Sequence, residues 1–268
     1  MSTGPFKCKY ALVCESVPDS YASQSLRSRE PNDPIDIDLA RRQHAEYIKL
    51  LKDLVENIIT IPCDENYPDC VFVEDTAVVL DGTALICRPG AESRRGEVDA
   101  VRQKLAELKL RIVEVEAPGT LDGGDVVFTG KEIFVGISNR TNIAGATAVA
   151  RAFPDYQVSM IKIKGSLHLK SILTMVDSET LVVVGNEYGK KVIENMQNNC
   201  NYIYQKITVP EGGASNCLHV NDNIIHGSPS EIEDVEKFFE IMNKPTYHVE
   251  NSEFNKADGC LTCRSVLF

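Results

Sequence analysis

The sequence predicts an α/β fold assembled from repeated modules, each a strand hairpin followed by a helix, arranged around an axis. Three observations lead there. β-rich runs broken by a turn residue start at Val78, Val126, Leu173 and Leu218, with a shorter run at Thr262, and the starts are 48, 47, 45 and 44 residues apart. Segments with apolar residues at helical spacing follow several of these runs. The composition, 43% hydrophobic and 25% charged over 268 residues, is that of a folded soluble chain and argues against disorder, collagen or a coiled coil.

Taken in order, YALVCE at 10–15 reads as a first strand. VVLDGTALIC from Val78, VVFTGKEIFV from Val126, LTMVDSETLVVV from Leu173 and LHVNDNIIH from Leu218 read as hairpins turning at Gly, Asp or Asn. Helices are expected over Glu97–Leu108, Asn142–Phe153, Lys190–Asn198 and Glu231–Met242. The final run, TCRSVLF from Thr262, needs YALVCE beside it to complete a fifth module, a closure that would protect sheet edges. The length allows one large domain or two small ones, with enough buried surface for a core that needs no staples.

Charge and cysteine usage narrow the partners. Twenty-eight basic against 39 acidic side chains leave a net charge of −11 with no dense Lys/Arg run, so the electrostatic footprint of nucleic-acid binding is missing. The N-terminal segment lacks the apolar stretch of a signal peptide, and no run approaches a bilayer span, so the expected location is cytoplasmic and no membrane contact is expected. The nine cysteines are an odd number without a secretion signal and read as reduced thiols. Cys260 and Cys263 alone have C-x-x-C spacing, and no second pair completes a structural zinc site.

Polar residues cluster just before the strand runs: Asp69, Glu74 and Asp75 before the first, Asp122 and Asp125 before the second, His168 before the third, with Cys263 in the fifth. Equivalent positions in a ring of modules face one axial end, so carboxylates, an imidazole and a thiol could meet at one centre. Each has a plainer reading. Cys263 is a candidate nucleophile, one half of a redox pair with Cys260, or a buried core thiol. His168 suits proton transfer at neutral pH, or is an ordinary surface or core histidine. Asp122 could orient it, or belong to a simple Asp-Gly turn. Read as an extended strand, residues 69–75 place Asp69 and Asp75 on one side and Glu74 on the other, and three acids there demand a cation. A guanidino substrate or internal arginines would supply it. Arg94 and Arg140 could grip a substrate carboxylate or lie solvated on the surface.

SLRS at 25–28, PDCVFVED at 68–75, RPGAESRRGEVD at 88–99, TLDGGDVVFTG at 120–130, SNRTN at 138–142, LHLKS at 167–171 and DGCLTCRSV at 258–266 resemble, in order, the dimethylarginine dimethylaminohydrolase family. The resemblance spans nearly the whole chain. It implies a pentein fold, a five-bladed α/β propeller forming one catalytic domain over 1–268 with its site in the central channel. It implies Cys263 as nucleophile, His168 as general acid and base, and Asp122 as the carboxylate orienting His168. Asp69, Glu74 and Asp75 would surround the guanidinium, and Arg94 and Arg140 would hold the amino-acid end. Leu26, on a mobile lid, and Ala257–Asp258 would close over the substrate. The implied reaction releases citrulline and an amine through a covalent thiouronium, with a link to nitric-oxide regulation. No cofactor or metal is required, although zinc could be trapped inhibitorily by Cys263 and His168. The expected partner is a small molecule, and the chain would act as a monomer or homodimer.

The sequence departs from relatives in three places. Deiminases of the superfamily show His-x-Asp, whereas this chain has His168-Leu169-Lys170, which points to methylated arginine. Arg264 follows the nucleophile where mammalian members carry a cysteine, and Ala257 replaces a larger aliphatic residue. The competing readings are a catalytically silent paralogue that binds arginine-like ligands or proteins, and a deiminase or amidinotransferase acting on another guanidine. Retention of thiol, imidazole and carboxylates favours an enzyme.

Overall fold

The computed structural model describes residues 6–210 and 212–268, so the first five residues of the N-terminal segment lie outside it. The chain begins with β1 (Tyr10–Cys14), α1 (Tyr21–Gln24), α2 (Ile37–Leu54) and β2 (Asn57–Ile61). Three similar units follow: β3 (Ala77–Leu80), β4 (Thr83–Ile86), α3 (Val98–Glu107) and β5 (Arg111–Glu114); then β6 (Val126–Phe128), β7 (Ile133–Ile137), α4 (Ile143–Ala152) and β8 (Val158–Lys162); then β9 (Leu173–Met175), β10 (Thr180–Val184), α5 (Glu187–Asn199) and β11 (Gln205–Val209). The last stretch holds α6 (Gly212–Ser215), β12 (Leu218–Val220), β13 (Asn223–Gly227), α7 (Val235–Phe239), β14 (Thr246–Val249), α8 (Ser252–Asn255) and β15 (Val266–Leu267).

These strands make five three-stranded sheets with one plan. In each, an inner strand runs antiparallel to a middle strand, whose other neighbour is a parallel strand reached through a helix, as in β3-β4-β5. The fifth sheet is completed as expected by the N-terminal strand: β15 pairs antiparallel with β1 through Ala11 and Leu267, and β1 pairs parallel with β2. Turn chemistry sets the hairpins. Asp81 and Gly82 both have positive φ, as do Asn221 and Asp222, the conformation a two-residue hairpin turn requires.

The helices are amphipathic and capped. Asp36 accepts the Leu39 N–H at the start of α2, whose Ala40, His44, Tyr47, Ile48 and Leu51 form the buried face. Asn142 and Asn186 cap α4 and α5 in the same way. Val101 and Leu105 of α3 join Ala84 and Ile86 of β4 in a shared core, where full burial of such a side chain contributes about 1.5–3 kcal/mol.

One feature of the plan positions the site. Each inner strand is preceded by a single helical turn: Val73–Thr76, Gly123–Asp125, Leu169–Ser171, α6 and Thr262–Arg264. The turn at 73–76 touches those at 123–125 and 262–264, and the turn at 169–171 touches those at 123–125 and α6. Asn216, just after α6, closes the ring by donating to Thr262 Oγ1 and accepting from its N–H. Three local expectations change. Residues 69–75 are turns ending in a helical turn, not an extended strand, and Cys263 stands on a helical turn before β15. The helix expected over Glu231–Met242 is only α7 plus a turn at 240–242.

Candidate active site

The ring of helical turns carries the polar residues to one place. Asp122 ends the loop before the turn at 123–125 and is fully buried. Its Oδ1 accepts the Gly90 N–H at 2.8 Å, and its Oδ2 lies 3.0 Å from His168 Nε2 and 3.7 Å from Arg140 Nη1. The backbone fits the imidazole closely. A Cβ on Gly124 would stand 2.7 Å from His168 Nδ1 and 3.0 Å from Asp75 Oδ1, so only glycine leaves room for the ring.

Three carboxylates govern His168. Burial alone would depress its pKa, but Asp75 at 3.9 Å, the Asp122 hydrogen bond and Asp125 outweigh that and push it up to about 10. At neutral pH the imidazole is therefore a cation with a proton to give. Asp75 is pulled down to about 2: burial opposes this, and His168, Arg94 and the Gly124 N–H overcome it. Asp125 accepts from Ser138 Oγ at 2.6 Å and the Leu169 N–H at 2.9 Å, yet burial pushes it up to about 6.

The cations that the acidic cluster demands come from within the chain. Arg94, 4% exposed, donates to Asp75 Oδ2 at 2.6 Å, to Glu97 Oε2 at 2.8 Å and to the Phe72 carbonyl at 2.9 Å. Glu74 turns the other way, accepting from Lys170 Nζ at 2.7 Å and Thr262 Oγ1 at 2.8 Å. A cavity of about 490 Å³ is lined by Glu74, Lys170, Thr262 and the inner strands, but by neither His168 nor Cys263. The glutamate–lysine pair thus stands between that cavity and the charged site.

Cys263 is 8% exposed, and its sulfur accepts the Cys260 N–H at 3.3 Å. The hydrogen bond shared with the Cys260 thiol, then burial, then Glu74 and Asp75 raise its pKa well above the ordinary thiol range. Over the site lies the segment with Leu26, whose N–H donates to both Asp69 oxygens at 3.1 Å. Asp69 is itself raised, chiefly by burial. Ser28 Oγ donates to Asp258 Oδ1 at 2.9 Å, and Asp258 holds φ at +57° after the buried Ala257. An aspartate adopts that left-handed conformation with less cost than most residues.

The arrangement offers a thiol, a protonated imidazole fixed by a carboxylate, and ionised acids to receive a cation. His168 and Cys263 share no hydrogen bond among the described residues. Among the described residues, one group of three potential metal-ligating side chains lies within 4.8 Å of one another: Asp75, Asp122 and His168. Reading the sequence missed the roles of Glu97, Lys170 and Thr262. Glu97 had a signal, an acid three residues after Arg94 on one helical turn; Lys170 and Thr262 had none, because their partner is distant in sequence.

Comparison with known proteins agrees in extent. The family described as N,N dimethylarginine dimethylhydrolase, eukaryotic, matches residues 16–220. The human protein DDAH2 is 37% identical over 221 residues, 81% of this chain and 76% of that one. The N(G),N(G)-dimethylarginine dimethylaminohydrolase of Pseudomonas aeruginosa is 33% identical over 236 residues, 85% of this chain and 88% of that one. A crystal structure of a cysteine-to-serine mutant of the P. aeruginosa enzyme with citrulline superposes with a TM-score of 0.85 at 29% identity, covering 98% of this chain and 100% of that one.

Proposed function

This chain belongs to the dimethylarginine dimethylaminohydrolase family, and from that premise we propose that it hydrolyses asymmetric N,N-dimethylarginine and N-monomethylarginine to citrulline and dimethylamine or methylamine. The observation that carries the reading is His168 held as a cation by Asp122 and Asp75 on the same ring that presents the Cys263 thiol.

The substrate guanidinium lies against Asp69 and Asp75, with Glu74 completing the acidic wall. Its positive charge offsets the acids that raise Cys263 and eases loss of the thiol proton to solvent. The thiolate attacks the guanidinium carbon and forms the C–S bond. The imidazolium of His168 gives its proton to the dimethyl nitrogen as the C–N bond breaks, leaving a thiouronium on Cys263 and a neutral imidazole. His168 then takes a proton from water as its oxygen adds to the same carbon. Collapse expels the thiolate and releases citrulline. Asp122 holds the ring in position and stabilises its charged form. Every step is assigned to a side chain, so the reading asks for no cofactor.

Arg94 and Arg140 are the groups for the substrate carboxylate. Arg140, whose one ion pair is at 3.7 Å, is the readier of the two, because Arg94 would have to exchange partners with Glu97 or Asp75. Leu26, Ala257 and Asp258 close the site. We take residues 1–268 to act as one catalytic domain, since the five sheets share one ring. We place the reaction in the cytosol: all nine cysteines are free thiols, and among the described residues no helix is long and apolar enough to cross a membrane.

The test is turnover of asymmetric dimethylarginine by chelator-treated protein, with citrulline and dimethylamine measured together. Equal release supports the hydrolase. Ammonia from arginine would indicate a deiminase, and binding without turnover a silent paralogue.

A further inference from the structure

The C-x-x-C spacing is not used by the hydrolytic reading, and the structure gives it a use. We propose that Cys260 is a resolving thiol for Cys263, so that a small hydroperoxide converts the pair into a reversible disulfide in the active site. This rests on Cys263 being the nucleophile.

The two thiols are already placed for it. Leu261 has helical φ and ψ, and the helical turn at 262–264 follows, so the chain from Cys260 to Cys263 winds through about one turn. Three residues of such a helix rise about 6 Å, with the end residues on one face. That fits the Cα separation of roughly 4.4–6.8 Å that a disulfide needs. The Cys260 N–H donates to Cys263 Sγ at 3.3 Å, so the two residues are already in contact. Cys260 is half-buried, as are Cys8, Cys63 and Cys200, and it alone of these four lies three residues from Cys263 on the same turn.

The step balances. The Cys263 thiolate attacks the O–O bond of the hydroperoxide, forming a sulfenic acid and releasing hydroxide or alkoxide. The Cys260 sulfur then attacks that sulfur, forming the S–S bond and releasing water. Two electrons pass from the sulfurs to the peroxide, and an external thiol returns them. While the bond exists the nucleophile is withdrawn, and it is shielded from irreversible oxidation.

Trypsin leaves both cysteines on one peptide, Ala257–Arg264. The full chain is treated with hydrogen peroxide, alkylated and digested, and the peptide is weighed; turnover is followed before peroxide, after it, and after dithiothreitol. The proposal expects a peptide lighter by two hydrogen atoms and unalkylated, and a loss of rate on the order of tenfold that dithiothreitol restores. In Cys260→Ala, scaled to its own untreated rate, the loss persists after dithiothreitol and Cys263 gains two or three oxygens. A wild-type peptide carrying added oxygen without the lighter species overturns the proposal, as does equal recovery in Cys260→Ala. Because the peptide mass is read without turnover, failure of the hydrolase reading is distinguishable from failure of the thiol pair.

Discussion

Replacing Asp122 by Asn probes how the structure loads His168 with a proton. The carboxylate lies 3.0 Å from His168 Nε2 and accepts the Gly90 N–H on its other oxygen, so Asn keeps the Gly90 contact and the shape while removing the charge. An opposite charge at that range shifts a pKa by about 1–3 units, so His168 falls from about 10 toward roughly 7–9. Asp75 and Asp125 still hold it above the ordinary value. The rate has two components. General acid catalysis is worth about 10²–10⁴-fold, and misorientation of the ring forfeits part of that at every pH. The pH-dependent part appears as an alkaline limb of kcat/KM moved down by one to three units. Stability moves with it. A histidine raised from 6.5 to about 10 contributes on the order of 5 kcal/mol that is fully present below pH 6.5 and lost as pH rises through 10. In Asp122→Asn the loss still starts near pH 6.5 but is complete at lower pH, so the drop in urea midpoint between pH 7 and 9 is smaller than in wild type. An alkaline limb within a few tenths of a unit of wild type refutes the reasoning.

Three further outcomes follow from the same geometry. Gly124→Ala places a methyl 2.7 Å from His168 Nδ1 and displaces the ring, so kcat falls about 10²-fold or more, with the melting temperature changed far less than the rate. Lys170→Met leaves Glu74 buried without its cation and costs about 3–5 kcal/mol in urea unfolding, most of it recovered in Glu74→Gln/Lys170→Met. Ser28→Ala removes one lid contact to Asp258, worth about 1 kcal/mol, so KM for dimethylarginine rises roughly fivefold while kcat holds; an unchanged KM disconnects the lid from binding.

The modular plan was legible because turn residues such as Asp81-Gly82 and Asn221-Asp222 punctuate it at a regular interval and because their hairpins need no distant partner. The helix α2 was overlooked although Asp36 and the spacing of Ala40, His44, Tyr47 and Leu51 mark it. The outer parallel strands, such as Arg111–Glu114 and Gln205–Val209, hid because an edge strand that is half-exposed and charged does not read as a strand. The helical turns at 73–76, 123–125, 169–171 and 262–264 are too short to leave a periodic signal, so the segment from Asp69 to Asp75 read as extended. Yet the separation of Glu74 from Asp75 survived, because adjacent residues on a tight turn also diverge. Arg94 is read from the sequence as a grip for the substrate carboxylate, with internal arginines only a general alternative for the cation that the acids demand. That Glu97 and Asp75 would occupy Arg94 depends on packing between modules, which no local pattern carries.

The most direct measurement is the mass of the Ala257–Arg264 peptide from protein quenched in acid during turnover of asymmetric dimethylarginine. The account predicts a thiouronium adduct on Cys263 in the wild-type chain that is missing in Cys263→Ser. Steady release of citrulline with that peptide unmodified at every quench time, or undiminished turnover by Cys263→Ser, would contradict it.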